Sequence, residues 1–291
     1  MDIAVLSDIH SNYPALERCI NYILNRGIHN FLFLGDYASD CPYPQRTMQI
    51  LYELDEKYNC WFIRGNREEY MLDYRANGEQ GWIPGSASGC LLYTYENLTE
   101  KDLDFFKELP NHARMEFSGL PSFCYCHGSM DSSLEHLYAG LDNTKRALEK
   151  LDTDVLICGH THKQGTFEYR GKKLINPGSV GVPFDYEGKT QFAIIHGRSD
   201  EWLEEYIQLD YEKDTVFAEY ETSGLSKIAP MWVVLTKEIL NAGKDNTRKV
   251  LSRVTELCRE ETGEAVWPYI PEKYWEQAVR EQGILIDNIL P

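Results

Sequence analysis

Along its first third the chain alternates short apolar runs with longer stretches whose apolar residues recur every three or four positions. Residues 2–7 (DIAVLS) are nearly all apolar, as expected of a strand covered on both faces. Residues 13–27 place Leu16, Cys19, Ile20, Ile23 and Leu24 at helical spacing and stop at Gly27. A second buried strand is predicted over 30–34, and a helix over 44–58 with Met48, Leu51, Tyr52 and Leu54 on its apolar side. A third strand follows over 60–63. Strands alternating with helices at this spacing predict βαβ units and a parallel sheet.

Helices are predicted over 67–76 and 99–108, the second with Thr99 as N-cap and acidic residues in its first turn. Beyond Pro110 the period shortens. Strands are predicted over 113–117, 122–127 and 155–158, then hairpin-like pairs over 166–169 with 173–175 and over 191–196 with 202–209. From about Tyr211 the pattern is helical, rich in Glu, Lys and aromatic residues. The expected division is a chemistry-bearing domain over 1–210 and a helical C-terminal extension over 211–291. The extension is expected to act as a cap or partner surface without supplying ligands.

The polar residues that end the buried strands carry the chemistry. The first three strands end in Asp8-Ile9-His10, Gly35-Asp36 and Gly65-Asn66, and two later ones in His127-Gly128 and Gly159-His160-Thr161-His162. In open α/β sheets ligands collect beyond the carboxyl ends of strands, so these five loops are predicted to converge. They offer two Asp, one Asn and four His. Carboxylate, amide and imidazole together suit manganese(II), iron(II) or zinc better than calcium or magnesium. Two such ions about 3.5–4 Å apart can generate a bridging hydroxide near neutral pH and clamp a phosphoryl group for in-line displacement.

Each fragment alone is a common turn sequence. In this order the set resembles the calcineurin-like metallophosphoesterases, whose pattern is D-x-H, G-D, G-N-H-[DE], an isolated H, and G-H-x-H. The resemblance spans roughly residues 1–200, and Asn176-Pro177-Gly178-Ser179 is most similar to the small bacterial and archaeal phosphodiesterase branch. It implies an α/β (α+β) fold, a four-layer αββα sandwich of two mixed sheets with the metals at one rim. It further implies that Asp8, His10 and His162 hold one of two divalent ions and that Asn66, His127 and His160 hold the other. Asp36 would bridge them. Manganese is the first expectation, with iron(II) or zinc as alternatives.

One position departs from that pattern. Arg67 stands where the family has a histidine that helps protonate the leaving oxygen. Arginine stays charged and cannot be a general acid, although it can donate a fork of hydrogen bonds to a phosphate. The catalytic set implied is Asp36, Asn66 and Arg67, with Arg67 and Asn12 as phosphate contacts; Asn12 could equally cap the following helix. The activity implied is hydrolysis of small phosphodiesters or phosphoanhydrides, nucleotide-type substrates among them. A protein phosphatase acting on phosphoserine, phosphothreonine or phosphotyrosine is the second reading. The third is a non-catalytic scaffold like the retromer subunit of similar fold.

Composition narrows this further. A hydrophobic share of 43% is that of a globular chain, and the formal charge of −17 disfavours a general nucleic-acid grip or an anionic membrane surface. The expected partner is a small phosphorylated substrate, with oligomeric state left open. Eight cysteines without a CxxC, no signal-peptide pattern and no apolar run near roughly 18 residues lead us to expect a reduced, cytoplasmic protein. Cys124 and Cys126 are expected to face the core, away from His127, because strand side chains alternate. Trp202, Trp232, Trp267 and Trp275 are expected to be packing anchors, and His29, His112, His136 and His196 to have surface or core roles.

Overall fold

In the computed structural model, which describes residues 1–286, β1 (Asp2–Leu6) runs parallel to β2 (Asn30–Phe33), and β2 parallel to β3 (Asn59–Phe62). β9 (Thr190–Gly197) returns antiparallel to β1 and pairs with β10 (Trp202–Leu209), completing a sheet of order β10-β9-β1-β2-β3. A second sheet has the order β4-β5-β6-β8-β7. Its strands are β4 (His112–Met115), β5 (Phe123–Cys126), β6 (Val155–Cys158), β7 (Gly165–Tyr169) and β8 (Lys172–Asn176). Both sheets are mixed, as the family resemblance implies.

Alternation along the strands sorts the side chains into layers. Ile3, Val5, Leu32 and Leu34 of the first sheet meet Phe123, Tyr125, Ile157 and Ile175 of the second in one buried cluster. On the outer face of the first sheet, Ala4, Leu6, Phe31 and Phe33 pack under α1 (Tyr13–Asn25), α2 (Pro44–Asp55), α3 (Asn66–Ala76) and α5 (Glu100–Glu108). On the outer face of the second, Cys124, Cys126, Cys158 and Leu174 pack against Leu148 of α6 (Asp142–Lys150). Helix, sheet, sheet, helix: the four-layer sandwich is present, and both cysteines of β5 are buried in the core layer under α6, as expected.

Trp202 plugs one end of the inter-sheet core. It is 1% exposed, sits 5.2 Å edge-on from the Phe123 ring and donates its Nε1–H to Pro121 O at 2.8 Å. Trp202→Ala is therefore expected to cost about 3–5 kcal/mol, the range for deleting a buried large aromatic. A urea unfolding curve checks this: the midpoint should fall with an unchanged slope.

The C-terminal region comprises α7 (Lys213–Thr222), α8 (Leu225–Ile228), α9 (Pro230–Ala242), α10 (Thr247–Thr262) and α11 (Glu272–Glu281). It has its own core, with Trp275 and Val279 of α11 against Val250 and Val254 of α10. Polar tethers join it to the sandwich. Tyr13 Oη donates to Glu219 at 2.6 Å, Tyr220 Oη to Asp40 O at 2.9 Å, and Ser86 Oγ to Glu272 at 2.7 Å. α8 and α4 (Gly89–Glu96) meet so closely that a Cβ on Gly89 would lie 2.2 Å from Ile228 O. The extension is thus built onto the rim where the strands end. No helix among the described residues is long and apolar enough to cross a membrane.

Candidate metal centre

The loops that leave the strands are strained in a consistent way. Asp8, His10, Asp36, His160 and His162 all have positive φ, between 49° and 62°. For a non-glycine residue this left-handed conformation costs roughly 1–2 kcal/mol and is held only where surrounding contacts fix it. Those contacts are present. Asp8 N donates to Gly35 O at 3.1 Å, His10 N to Asp36 O at 2.9 Å, Gly159 N to His127 O at 2.8 Å and Gly181 N to Asp8 O at 2.9 Å. The approach also needs glycine: a Cβ on Gly35 (φ +90°) would lie 2.4 Å from Gly65 N, and one on Gly159 would lie 2.0 Å from Ser7 Oγ.

Seven side chains converge as a result, in two groups. Asp8, His10 and His162 bring ligand atoms within 4.8 Å of one another, and so do Asp36, His127 and His160. Asn66 joins the second group through Oδ1, 2.9 Å from His127 Nε2. Asp36 faces both groups. Its Oδ1 lies 3.4 Å from His127 Nε2 and its Oδ2 lies 3.7 Å from His10 Nε2.

Hydrogen bonds at the far side of each ring decide what the near side offers. His162 Nδ1 lies 2.6 Å from Val182 O, His127 Nδ1 2.7 Å from Leu34 O, and His160 Nε2 3.2 Å from Leu134 O. A carbonyl only accepts, so each of these nitrogens carries the hydrogen and the opposite nitrogen of a neutral ring presents a lone pair. His10 is oriented likewise, with Nδ1 2.7 Å from Asp40 Oδ2. The lone-pair nitrogens of His10 and His162 then face each other at 3.1 Å. Asp8 Oδ1, fully buried, makes no hydrogen bond among the described residues and lies 3.2 Å from His162 Nε2. Acceptors crowded against acceptors require positive charge between them, and these residues fit a pair of divalent cations.

Protons alone relieve only part of this crowding. Burial lowers the pKa of His162, but the Asp8 carboxylate, the Val182 carbonyl and Asp36 together outweigh it and the net direction is up. His160 goes the other way: burial, then the neighbouring His127 and His136, push it down to about 2. Burial pushes Asp36 up to about 6, with His10 opposing and Asp8 adding to the rise. Burial likewise works to raise Asp8, but the three imidazoles around it hold it below the ordinary range. Two buried carboxylates so close together favour cations.

Three further residues support the site in roles the sequence reading does not assign them. Glu68 is fully buried and accepts from Asp36 N, Gly65 N and Tyr37 N, each at 2.8 Å. It ties the Asp36 loop to the Asn66 loop. Asp40 accepts from His10 and Arg67 (3.1 Å) through Oδ2 and from Trp232 Nε1 at 2.6 Å through Oδ1. His136 packs its ring 4.0 Å from that of His160. Partners that orient a ligating imidazole typically matter 10–100-fold to affinity. Asp40→Asn is accordingly expected to weaken manganese binding by about that factor, read by titrating chelator-stripped protein with the circular dichroism spectrum unchanged.

The two phosphate contacts expected from sequence part company. Arg67 lines a cleft of about 580 Å³ together with His10, Asp36, Asn66, His160 and His162. Its Nη2 pairs with Asp40, while its buried Nε makes no hydrogen bond among the described residues. Asn12 corrects the expectation. It is fully buried and its groups are spent, with Oδ1 capping α1 at Ala15 N and Nδ2 donating to Gly181 O (2.8 Å) and Tyr211 Oη (3.0 Å). The extension contributes Arg248 and Lys249 of α10 to the cleft wall, and neither makes an ion pair among the described residues. Sequence reading passed over both, since a basic pair on a polar helix carries no signal by itself.

Comparison with known proteins agrees with this geometry. The calcineurin-like phosphoesterase superfamily domain matches residues 1–200. An uncharacterized protein of Methanocaldococcus jannaschii is 27% identical over 229 residues, which is 72% of this chain and 88% of the relative. Among solved structures, the hypothetical protein PH1004 from Pyrococcus horikoshii is similar with a TM-score of 0.69 at 20% identity, covering 84% of this chain and 99% of that one. A metallophosphoesterase from Sphaerobacter thermophilus gives 0.64 at 21% identity, covering 84% and 100%. These coverages exceed what residues 1–210 account for, so the shared fold reaches into the extension.

Proposed function

The chain belongs to the calcineurin-like phosphoesterase superfamily, and from that premise we propose that it hydrolyses small phosphodiesters or phosphoanhydrides at a pair of divalent cations. The carrying observation is the convergence of acceptor atoms, each imidazole fixed at its far nitrogen by a carbonyl or carboxylate. Cations bound there would supply a water-derived nucleophile at neutral pH and neutralise phosphoryl oxygens.

The protein's own groups set the rest. Asp8, His10 and His162 would hold one cation, Asn66, His127 and His160 the other, and Asp36 would give one oxygen to each. Arg67, braced by Asp40 and with Nε 4.0 Å from Asp36 Oδ2, would hold a fixed positive charge beside a phosphoryl or leaving oxygen but deliver no proton. Arg248 and Lys249 would draw an anion into the cleft of a chain whose overall charge is −17. Helices α9 and α10 wall the cleft at about 580 Å³, which suits a small molecule better than a phosphorylated protein surface.

The test is a panel of phosphomonoesters, diesters and anhydrides offered to chelator-stripped protein with manganese restored. Turnover of aryl diesters or anhydrides that needs the metal supports this reading. Metal binding without turnover of any class would leave the scaffold reading standing.

A further inference from the structure

Beside the metal cleft lies a second cavity of about 410 Å³, bounded by α3 and α4 on one side and by the extension on the other. Aromatic side chains dominate its walls: Tyr70, Trp82, Trp232 and Trp267. Trp82 is held flat against Tyr74, with ring centroids 4.0 Å apart and planes 4° from parallel, so its orientation is fixed before any ligand arrives. Trp267 does not behave as the packing anchor expected from sequence. It is 50% exposed and borders the cavity, the exposed aromatic surface that planar ligands stack on. At the open edge stand Asp73, Asn77 and Gln80, whose side chains make no hydrogen bond or ion pair among the described residues.

The cavity is joined to the metal cleft. Asp40, Arg67, Trp232 and Leu251 line both. Arg67 thus stands at the junction, its Nη2 3.1 Å from Asp40 Oδ2 and its Nε 4.0 Å from Asp36 Oδ2. A ligand spanning the two spaces would meet positive charge at the junction, flat apolar walls beyond it, and amide and carboxylate groups at the far rim.

We propose that this cavity receives the nucleobase of a nucleotide-type substrate whose phosphate reaches the metal cleft past Arg67. A nucleobase is planar, stacks on aromatic faces irrespective of its sequence identity, and carries donors and acceptors along its edge for Asn77, Gln80 and Asp73. A sugar phosphate would leave the aromatic walls unused, and an alkyl group would leave the polar rim unused. The inference rests on the proposed phosphoester hydrolysis only for where the phosphate goes; base binding itself needs no metal.

The experiment therefore omits metal and phosphate. Adenosine, guanosine and cytidine are titrated calorimetrically into chelator-stripped full-length protein, with ribose as the comparison. Nucleosides are expected to bind at least about tenfold more tightly than ribose, the scale of one stacked base. Trp267→Ala, at a half-exposed position, should reduce that margin to near one, and Trp82→Ala should do the same. Nucleosides binding no better than ribose, or both variants binding nucleosides as wild type does, would overturn the proposal. Absence of phosphoester turnover in a protein that keeps the nucleoside margin would instead sink the hydrolase reading and spare this one.

Discussion

Asp36→Asn is expected to lower kcat/KM by about a thousandfold, equivalent to about 4 kcal/mol of transition-state stabilisation, and to reduce bound manganese below two per chain. Each Asp36 oxygen faces a different ligand group, Oδ1 toward His127 and Oδ2 toward His10. Replacing one oxygen by an amide NH₂ puts a donor among acceptors, so at least one group loses its carboxylate. Terminal ligands such as His162 serve one group only and should cost less. Asp36 Oδ1 also accepts from Arg67 N at 2.9 Å, so the amide oxygen has a reason to settle there and spare the backbone. Metal analysis and circular dichroism on the same sample separate loss of cations from loss of fold. Wild-type turnover at saturating manganese would mean that Asp36 does not bridge.

The second large effect concerns the leaving group. Arg67 offers charge but no proton where a histidine could offer both, so the wild-type rate should fall steeply as leaving-group pKa rises. Phenolates and nucleotide phosphates depart without protonation, whereas serine or sugar alkoxides do not. A preorganised donor in a dry site is worth roughly 2.7–4 kcal/mol, so Arg67→Ala should slow anhydride hydrolysis by about a hundredfold or more. Arg67→His should flatten the slope of log rate against leaving-group pKa. The side chain to watch in both variants is Asp40. Burial alone would raise its pKa, and Arg67 and then His10 hold it well below the carboxylate range. In Arg67→Ala it keeps His10 and Trp232, so metal affinity should change less than turnover. A flat slope in the wild type would point to a proton from another residue.

How far the sequence could be read depended on whether a signal was local. β1, β2 and β3 announce themselves as apolar runs, and the residues just past them fall at the metal rim because parallel strands put their carboxyl ends together. Glu68 was legible in principle. Three residues after Gly65, its carboxylate reaches back to the N-cap N–H, the half of a capping box that a glycine N-cap allows, at a spacing visible in the sequence. Asn12 shows the reverse. A cap followed within two residues by Pro14 is a complete helix start, and the local role took the side chain. Trp232 and Arg248 had no local signal at all, since their meaning depends on the extension folding back over the rim. α6 and α4 were missed for a simpler reason. α6 is a nine-residue helix with few apolar residues, and α4 opens on Gly89, a poor helix former.

Asp40 also has a consequence for how the two cavities communicate. One carboxylate fixes His10, a proposed metal ligand, through Oδ2 and accepts from Trp232, a wall of the aromatic cavity, through Oδ1. Any occupant that shifts the Trp232 indole alters the hold on His10. By thermodynamic reciprocity, the factor by which such an occupant changes cation affinity equals the factor by which cations change affinity for the occupant. Substrate and metal would then load as linked ligands of one carboxylate, and an affinity measured for either would carry meaning only at a stated concentration of the other.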